Sequence, residues 1–162
     1  MTGVQTCALP IWMKKLITCL VVCLLSGATF ATTWTVDDDG KADFDNIQAA
    51  VDAASDGDEI IVAPGTYTST ANEVVDMRGK EIWLHSSAGA EVTIIDGEET
   101  RRGIYCSNGE TSNTIIEGFT ITNGYSSGYG GGMHNYNTNP AMTNCTFENN
   151  TEIGRASCRE RV

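Results

Sequence analysis

The pattern of apolar and polar positions changes character near residue 58. Before that point, the stretch "DFDNIQAAVDAASDGD" has apolar residues at helical spacing. Asp45 can cap the amino end of such a helix with Gln48 as its capping-box partner, and Gly57 is a natural terminator. The pattern predicts one short helix over about 45–54 that must cover another element with its apolar face. The residues of that face are Phe44, Ile47, Ala50, Val51 and Ala54.

After residue 58, short apolar stretches alternate with polar turns. "EIIVAPGTY" is typical of a buried strand that ends at Pro64-Gly65. Three later stretches resemble one another: "EIWLHSSAGAEVTIIDG", "GIYCSNGETSNTIIEGFTITNG" and "GGMHNYNTNPAMTNCTFENN". We predict that Ile82, Ile104 and Met133 begin equivalent strands, which are 22 and 29 residues apart in sequence. Equivalent second strands are predicted near Ile94, Ile115 and Met142.

This loose repeat predicts an all-β solenoid, because each unit is too short to bury its own apolar side chains and must stack on its neighbours. No helix separates the strands, so the pattern is that of a parallel β-helix. We expect three or four coils over about 58–151, with the opening helix covering the first coil. The chain is then read as an amino-terminal fragment of a longer solenoid.

One pair of stretches fixes a register within the solenoid. "FTITN" (119–123) aligns with "CTFEN" (145–149). Alternation then predicts that Phe119 stacks on Cys145 inside the solenoid, and that Ile121 stacks on Phe147. Asn123 and Asn149 fall at the same bend and could form an amide ladder. Cys106 lies on a different strand, so no disulfide with Cys145 is expected.

The two ends of the chain differ from its middle. "EIGRASCRERV" (152–162) and "TGVQTCALPI" (2–11) match translated reading frames of a pair of common sequencing adapters. We therefore predict that residues 1–12 and 152–162 are adapter-derived artefacts and exclude them from the fold. The genuine domain is then 32–151.

Residues 13–31, "MKKLITCLVVCLLSGATFA", predict a bacterial secretory signal peptide. Two lysines precede an apolar run over 16–25, and small residues lead to a cleavage site near Ala31. A run of ten residues is too short to span a bilayer. We expect a secreted or cell-surface product with no transmembrane span in its mature part.

The net charge excludes some classes of partner, and the number of cysteines excludes a fold held together by disulfides. Residues 32–151 hold 19 acidic and 5 basic side chains, which gives a net formal charge of −14. Nucleic acid and anionic membranes need positive charge, so neither is an expected partner. Only Cys106 and Cys145 fall within this domain, and two cysteines do not make a disulfide framework.

The stretch "ADFDNIQAAVDAASDGDEIIVAPGTY" resembles the amino-terminal capping segment of the right-handed parallel β-helix superfamily, the pectin-lyase-like fold. The resemblance covers about 34–151 and implies the fold rather than an activity. Members of the superfamily include polysaccharide lyases, glycoside hydrolases and surface adhesins. "GGGM" (130–133) and "FENN" (147–150) are also similar, more weakly, to repeats of polymorphic outer-membrane proteins.

An aromatic row is the first candidate for chemistry. The predicted strands place Trp83, Tyr105 and His134 on the outer face, stacked across three coils. Flat, partly polar rings on a solvent face can contact the faces of sugar rings. The alternative is that outward aromatic residues stack only to stiffen the sheet.

An acidic pair is the second candidate. Asp96 and Glu117 occupy similar "IDG" and "IEG" positions, and adjacent rungs would place them roughly 5 Å apart. Such a pair could serve a retaining glycosidase or bind calcium. The alternative is a solvated acid in each turn. The acidic stretch "DDDGKADFD" (37–45) lacks the spacing of a calcium loop, and no catalytic or cofactor-binding residue is assigned.

Two functions therefore remain open from the sequence. The first is a surface or carbohydrate-binding β-helix without catalysis in this chain, whose partner is a polysaccharide or cell-surface glycan. The second is the amino-terminal part of a polysaccharide lyase or glycoside hydrolase. Pectate-lyase-type catalysis needs a base and calcium-binding acids on one outer sheet, and Arg101 and Arg102 have no evident acid cluster beside them.

Overall fold

The computed structural model describes residues 31–153 of the 162-residue chain. The predicted signal peptide, apart from Ala31, and the predicted adapter segments, apart from Glu152 and Ile153, lie outside the described residues. Their assignments stay predictions.

The described chain contains one short helix and a succession of short strands, as the sequence predicts. The helix, α1, spans Ile47–Ala53. The strands are β1 (Thr33–Val36), β2 (Glu59–Val62), β3 (Gly65–Tyr67), β4 (Glu73–Asp76), β5 (Trp83–Ser86), β6 (Thr93–Asp96), β7 (Arg102–Cys106), β8 (Ile115–Glu117), β9 (Thr120–Thr122), β10 (Tyr125–Ser126), β11 (Met133–Asn135), β12 (Ala141–Thr143), β13 (Thr146–Glu148) and β14 (Thr151–Glu152).

These strands form the stacked parallel sheets of a β-solenoid, which confirms the predicted fold class. Sheet A has the order β1-β2-β5-β8-β12, sheet B the order β13-β9-β6-β3, and sheet C the order β11-β7-β4. A short fourth sheet pairs β10 with β14. The chain visits sheets A, B and C in turn, so the five strands of sheet A mark about five turns. Four of these strands, β2, β5, β8 and β12, lie within 58–151, which confirms the three or four coils expected there, and β1 adds a fifth turn before the helix.

Helix α1 covers the core as expected, but its cap differs from the prediction. Asn46, not Asp45, is the N-cap, and its side chain accepts a hydrogen bond from Ala49 N at 2.8 Å. Gln48 is not a capping-box partner, because its amide bonds Asp76 N at 2.7 Å and Asp76 O at 3.2 Å on strand β4. The helix ends at Ala53, before Gly57.

The core is a single column of inward side chains running along the solenoid. Each sheet supplies inward residues at successive turns. Those of sheet A include Ile60, Leu84 and Ile116, which are fully buried. Ile95 and Ile121 continue the core on sheet B. Stacking in register removes these apolar surfaces from water, which drives the association of one coil with the next.

The aligned pair of stretches has the predicted register. Thr120 faces Thr146, and Ile121 faces Phe147. Phe119 is fully buried, whereas Phe147 on the fifth turn is 46% exposed. Cys106 and Cys145 are both free thiols, as expected.

The bends depend on asparagine in the left-handed backbone region. Asn123, Asn144 and Asn149 have φ values of 50°, 53° and 54°, which this residue type tolerates well. The expected amide ladder is not formed at the Asn123 bend, because the Asn123 amide donates to Asp96 Oδ1 at 3.0 Å. Helix α1, the only helix within residues 31–153, is too short to cross a membrane.

Candidate functional site

The predicted aromatic row is split between two sheets. His134 on β11 lies directly beside Tyr105 on β7 in sheet C, as predicted. Trp83 lies on β5 in sheet A, where its register partners are Glu59 and Ile115. The three rings therefore do not form one stack. The similarity of "EIWLH" to "GIYCS" is local, and it does not report which sheet a strand joins.

Two tyrosines outside the predicted row lie next to it, Tyr129 in the loop before β11 and Tyr136 directly after β11. We call the set Tyr105, Tyr129, His134 and Tyr136 the tyrosine surface. The His134 ring is stacked with Tyr105 at a centroid distance of 5.5 Å and with Tyr136 at 6.4 Å, and the interplanar angles are 15° and 6°. Tyr129 lies 6.3 Å from His134 with a tilt of 33°. The four rings therefore form one contiguous aromatic cluster.

The outer part of the tyrosine surface is open to solvent. Tyr129 is 62% exposed and Tyr136 is 61% exposed, whereas Tyr105 and His134 are half-buried. Alternation could have identified Tyr136, which is two residues from His134 on the same side of the chain. Tyr129 lies in "YSSGYGGGM", where the glycines hide any strand pattern.

Arg102 holds the tyrosine surface in place. Its guanidinium carbon lies 5.1 Å from the centre of the Tyr105 ring, within the range of a cation–π contact. Arg102 also donates to Glu73 Oε1 at 3.0 Å and to the carbonyl oxygens of Gly130 and Tyr129 at 2.9 and 3.1 Å. These bonds tie the glycine-rich loop to strand β7 and fix the position of Tyr129.

The surroundings of His134 favour the uncharged form of its ring. Partial burial lowers the pKa of His134, and the positive charge of Arg102 lowers it further, against a smaller opposing effect of Glu152. Protonation would place a second cation beside Arg102. The tyrosine surface thus presents flat, neutral rings with polar edges.

Trp83 belongs to a second, smaller patch on sheet A. Its ring is 40% exposed and stacks on His85 at 4.2 Å, with an interplanar angle of 25°. Glu117 Oε2 accepts a hydrogen bond from the Trp83 indole at 3.2 Å, and Glu59 Oε1 lies 3.0 Å from His85 Nε2. His85 is therefore not an isolated surface residue, because it bridges two turns of the sheet.

Asp96 and Glu117 do not form the predicted pair. Asp96 ends β6 in sheet B beside Thr122, and Glu117 ends β8 in sheet A beside His85. Asp96 Oδ1 instead accepts from Glu98 N at 2.8 Å, in addition to the Asn123 amide. Asp96 therefore braces a turn, whereas Glu117 accepts hydrogen bonds from Trp83 and Asn144 on the neighbouring strands of sheet A and beside them. Within residues 31–153, no group of three or more His, Cys, Asp or Glu side chains is arranged to hold a metal ion.

Comparisons with known proteins give a relative but no family. The chain is 34% identical over 110 residues to a cell surface glycoprotein of Methanothermus fervidus. The aligned region covers 67% of this chain and 15% of the relative, so the chain spans only a small part of that protein. No family model matches the chain, and no solved structure matches it. The resemblance to the pectin-lyase-like superfamily therefore stays a prediction. The parallel β-solenoid itself is shown by the structure.

Proposed function

We propose that the chain is part of a secreted, cell-surface β-helix protein and that its tyrosine surface binds a glycan. Support for the location comes from the predicted signal peptide and from the printed name of the Methanothermus relative, a cell surface glycoprotein. The parallel β-solenoid also suits a surface protein, because it displays side chains at regular intervals along an extended outer face.

The observation that carries the binding proposal is the arrangement of the four rings. Tyr105, His134 and Tyr136 are nearly parallel, and Tyr129 and Tyr136 are more than 60% exposed. A core aromatic residue would be covered, and a ring that only stiffens a sheet need not lie open. A sugar presents an apolar face of C–H groups that can lie on such rings, and its hydroxyls can bond the tyrosine edges.

The charge of the molecule favours an uncharged glycan. Residues 32–151 carry a net formal charge of −14, which repels polyanions. The guanidinium of Arg102 beside the tyrosine surface is paired with Glu73. Neutral hydroxyl-rich chains are therefore the proposed ligand class.

Alanine substitution of the exposed rings tests the proposal. We expect a Tyr129→Ala, Tyr136→Ala double variant to bind a neutral polysaccharide at least tenfold more weakly, a loss of about 1.4 kcal/mol. Binding would be screened on an array of neutral and acidic polysaccharides and measured by isothermal titration calorimetry.

Two controls separate stacking from other effects. Tyr136→Phe keeps the ring and should retain most of the affinity. Trp83→Ala removes an exposed ring on a different sheet and should not change it. Equal binding by the double variant and the wild type, or no binding by the wild type to any array member, would refute the proposal.

A further inference from the structure

Two asparagines of the chain are followed directly by glycine, in Asn108-Gly109 and Asn123-Gly124. Asparagine is one of the chemically labile residues of proteins. In such a pair the backbone nitrogen of the glycine can attack the side-chain carbonyl carbon of the asparagine, because glycine has no side chain to hinder the approach. The same reactive sequence therefore occurs twice, and the structure gives the two copies different surroundings.

Asn108-Gly109 lies in an open bend between β7 and β8, and both residues are exposed. Within residues 31–153, neither the Asn108 side chain nor the Gly109 backbone nitrogen makes a hydrogen bond. A Cβ built on Gly109 would meet no atom within 4 Å beyond its chain neighbours. The nucleophilic nitrogen and the amide that it would attack are therefore both accessible.

This bend is exposed although a turn of the solenoid lies on each side of it. Gly79 N of the preceding turn donates to Glu110 Oε1 at 2.8 Å, and Asn139 N of the following turn donates to Glu110 O at 2.9 Å. Glu110 is buried, and its carboxylate also accepts from Asn108 N at 2.9 Å. The neighbouring turns thus hold the backbone of the bend and leave the Asn108 side chain uncovered.

Asn123-Gly124 is covered and bonded at both reacting groups. Asn123 is half-buried, and its amide donates to Asp96 Oδ1 at 3.0 Å. Gly124 is buried, and its backbone nitrogen donates to Asn150 Oδ1 at 2.7 Å. Reaction at this pair requires the bend to open first and to break both hydrogen bonds.

We propose that Asn108 is a site of spontaneous deamidation in the folded protein and that the fold protects Asn123. Gly109 N loses its proton to a base in the solvent, and its electron pair forms a bond to Cγ of Asn108. The bond from Cγ to Nδ2 breaks, and Nδ2 takes up a proton and leaves as ammonia. The remaining ring is a succinimide, which water opens at one of its two carbonyl carbons.

The point of water attack decides the product. Attack at Cγ restores the normal main chain with aspartate at position 108. Attack at the main-chain carbonyl carbon gives isoaspartate, whose main chain runs through Cγ. Either route consumes one water, releases one ammonia and adds one negative charge to the chain.

This modification would strain the contact between two turns. A Cβ built on Gly79 would come within 2.6 Å of Asn108 O, so the two backbones fit closely there. The Glu110 carboxylate bonds the backbone nitrogens of both residues, and a new carboxylate at position 108 would repel it. We therefore expect the modified protein to unfold at a lower temperature than the unmodified protein.

Peptide mapping of aged protein tests the site. The full chain would be kept folded in mildly alkaline buffer, sampled over time and cleaved with a glutamate-specific protease. Cleavage after Glu110 and Glu117 places Asn108 and Asn123 on separate peptides. We expect the mass change of deamidation at Asn108 at least about tenfold faster than at Asn123, where two hydrogen bonds must first break. An isoaspartyl methyltransferase should label the Asn108 peptide.

Two controls separate the effect of the fold from that of the sequence. Asn108→Gln should abolish the reaction at this position, because glutamine would have to close a larger ring. In the urea-unfolded chain, both pairs should react at similar rates. A folded chain in which Asn108 stays unmodified or Asn123 reacts as fast, or an unfolded chain that keeps the tenfold difference, would overturn the proposal. The inference depends neither on the cell-surface location nor on glycan binding by the tyrosine surface.

Discussion

A small polar network fastens the residues at the start of the solenoid. The buried carboxylate of Asp58 accepts hydrogen bonds from Thr32 N at 2.7 Å, from Ser55 N at 2.9 Å and from Trp34 Nε1 at 3.1 Å. Burial by itself raises the pKa of Asp58, but these donors and the nearby charge of Lys80 together lower it below its ordinary value. The ionised carboxylate is therefore part of the folded structure.

Acid should weaken this network. Because the pKa of Asp58 is lower in the folded than in the unfolded chain, its contribution to stability is present above the unfolded value of about 3.9 and is lost as the pH falls through the folded value. We expect Asp58→Asn to be less stable than the wild type at pH 7, with the gap narrowing towards pH 3. Urea unfolding across this range measures the gap, and a constant difference would contradict the assignment.

Lys80 caps the carboxyl end of the helix from another turn. Its ammonium donates to the carbonyl oxygens of Val51, Asp52 and Ala54 at 2.6, 2.9 and 2.7 Å. These carbonyls lie at the helix end, where intrahelical partners run out, and a cation there also interacts favourably with the helix dipole.

Replacement of Lys80 by methionine tests the cap. Lys80→Met keeps the aliphatic stem but loses the charged donor, so we expect a loss of about 2 kcal/mol in the free energy of unfolding. The matched control is Lys41→Met, which removes only an exposed pair with Asp39 and should leave the unfolding midpoint unchanged. Equal midpoints for both variants would show that the cap contributes nothing.

The helix was predictable from the sequence, but the residues that secure it were not. Asp45 and Asn46 are both good N-caps, and the choice between them depends on the backbone path after Phe44. Asp58 and Lys80 bond residues that are more than twenty positions away in the chain. A local sequence pattern cannot predict such contacts. Asn123 and Asn149 at the bends were found, because their role depends on local backbone conformation.

At the scale of elements, the exposed edge of β1 is covered by its own chain. Thr35 N donates to Asp43 Oδ2 at 3.0 Å, and Phe44 exchanges backbone hydrogen bonds of 3.1 Å with Thr35 and Asp37. An unpaired edge strand invites pairing with another molecule. The segment before α1 therefore closes this edge while the helix covers the core.

Strands β7 and β11 approach so closely that one position requires glycine. A Cβ built on Gly103 would collide with the Gly132 carbonyl oxygen and with Ile121 Cγ2, the latter at 2.5 Å. We expect Gly103→Ala to destabilise the chain by about 1–3 kcal/mol, because the sheets must separate to admit the methyl group.

A second glycine provides the control for this test. A methyl group added at Gly128 would meet only Ser126 Oγ within 4 Å, at 3.9 Å, so Gly128→Ala should be nearly neutral. Thermal unfolding followed by circular dichroism measures both variants. A Gly103→Ala protein as stable as the wild type would mean that the two strands are not packed as described.

The assignment of strands to sheets was not predictable from the sequence. Met133 was correctly matched to Ile104, but Ile82 was placed in the same column, although Trp83 and its strand belong to sheet A. Apolar alternation predicts which residues point inward. Because every sheet of a solenoid has the same alternation, it does not predict which sheet a strand joins. The unequal lengths of the bends between strands then decide which strands meet, and these lengths cannot be recognised from two or three irregular repeats.

At the scale of the whole molecule, stability comes from contacts between successive turns. Inward residues of the middle turns, such as Leu84, Ile104 and Ile121, are fully buried because a neighbouring turn covers each side. The architecture was predictable because the helix, the short strands and the asparagine bends all indicated the same fold. The tyrosine surface was only half predictable, since Tyr129 reaches it from a loop.

We propose that the tyrosine surface on sheet C, and not the Trp83 patch on sheet A, binds a glycan. The most direct test is a titration of isotope-labelled protein with the neutral polysaccharide that binds best on the array, followed by two-dimensional NMR. We predict chemical-shift changes centred on Tyr105, Tyr129, His134 and Tyr136, with little change at Trp83 and His85. Changes confined to sheet A, or none at saturating ligand, would show that the tyrosine surface does not bind the glycan.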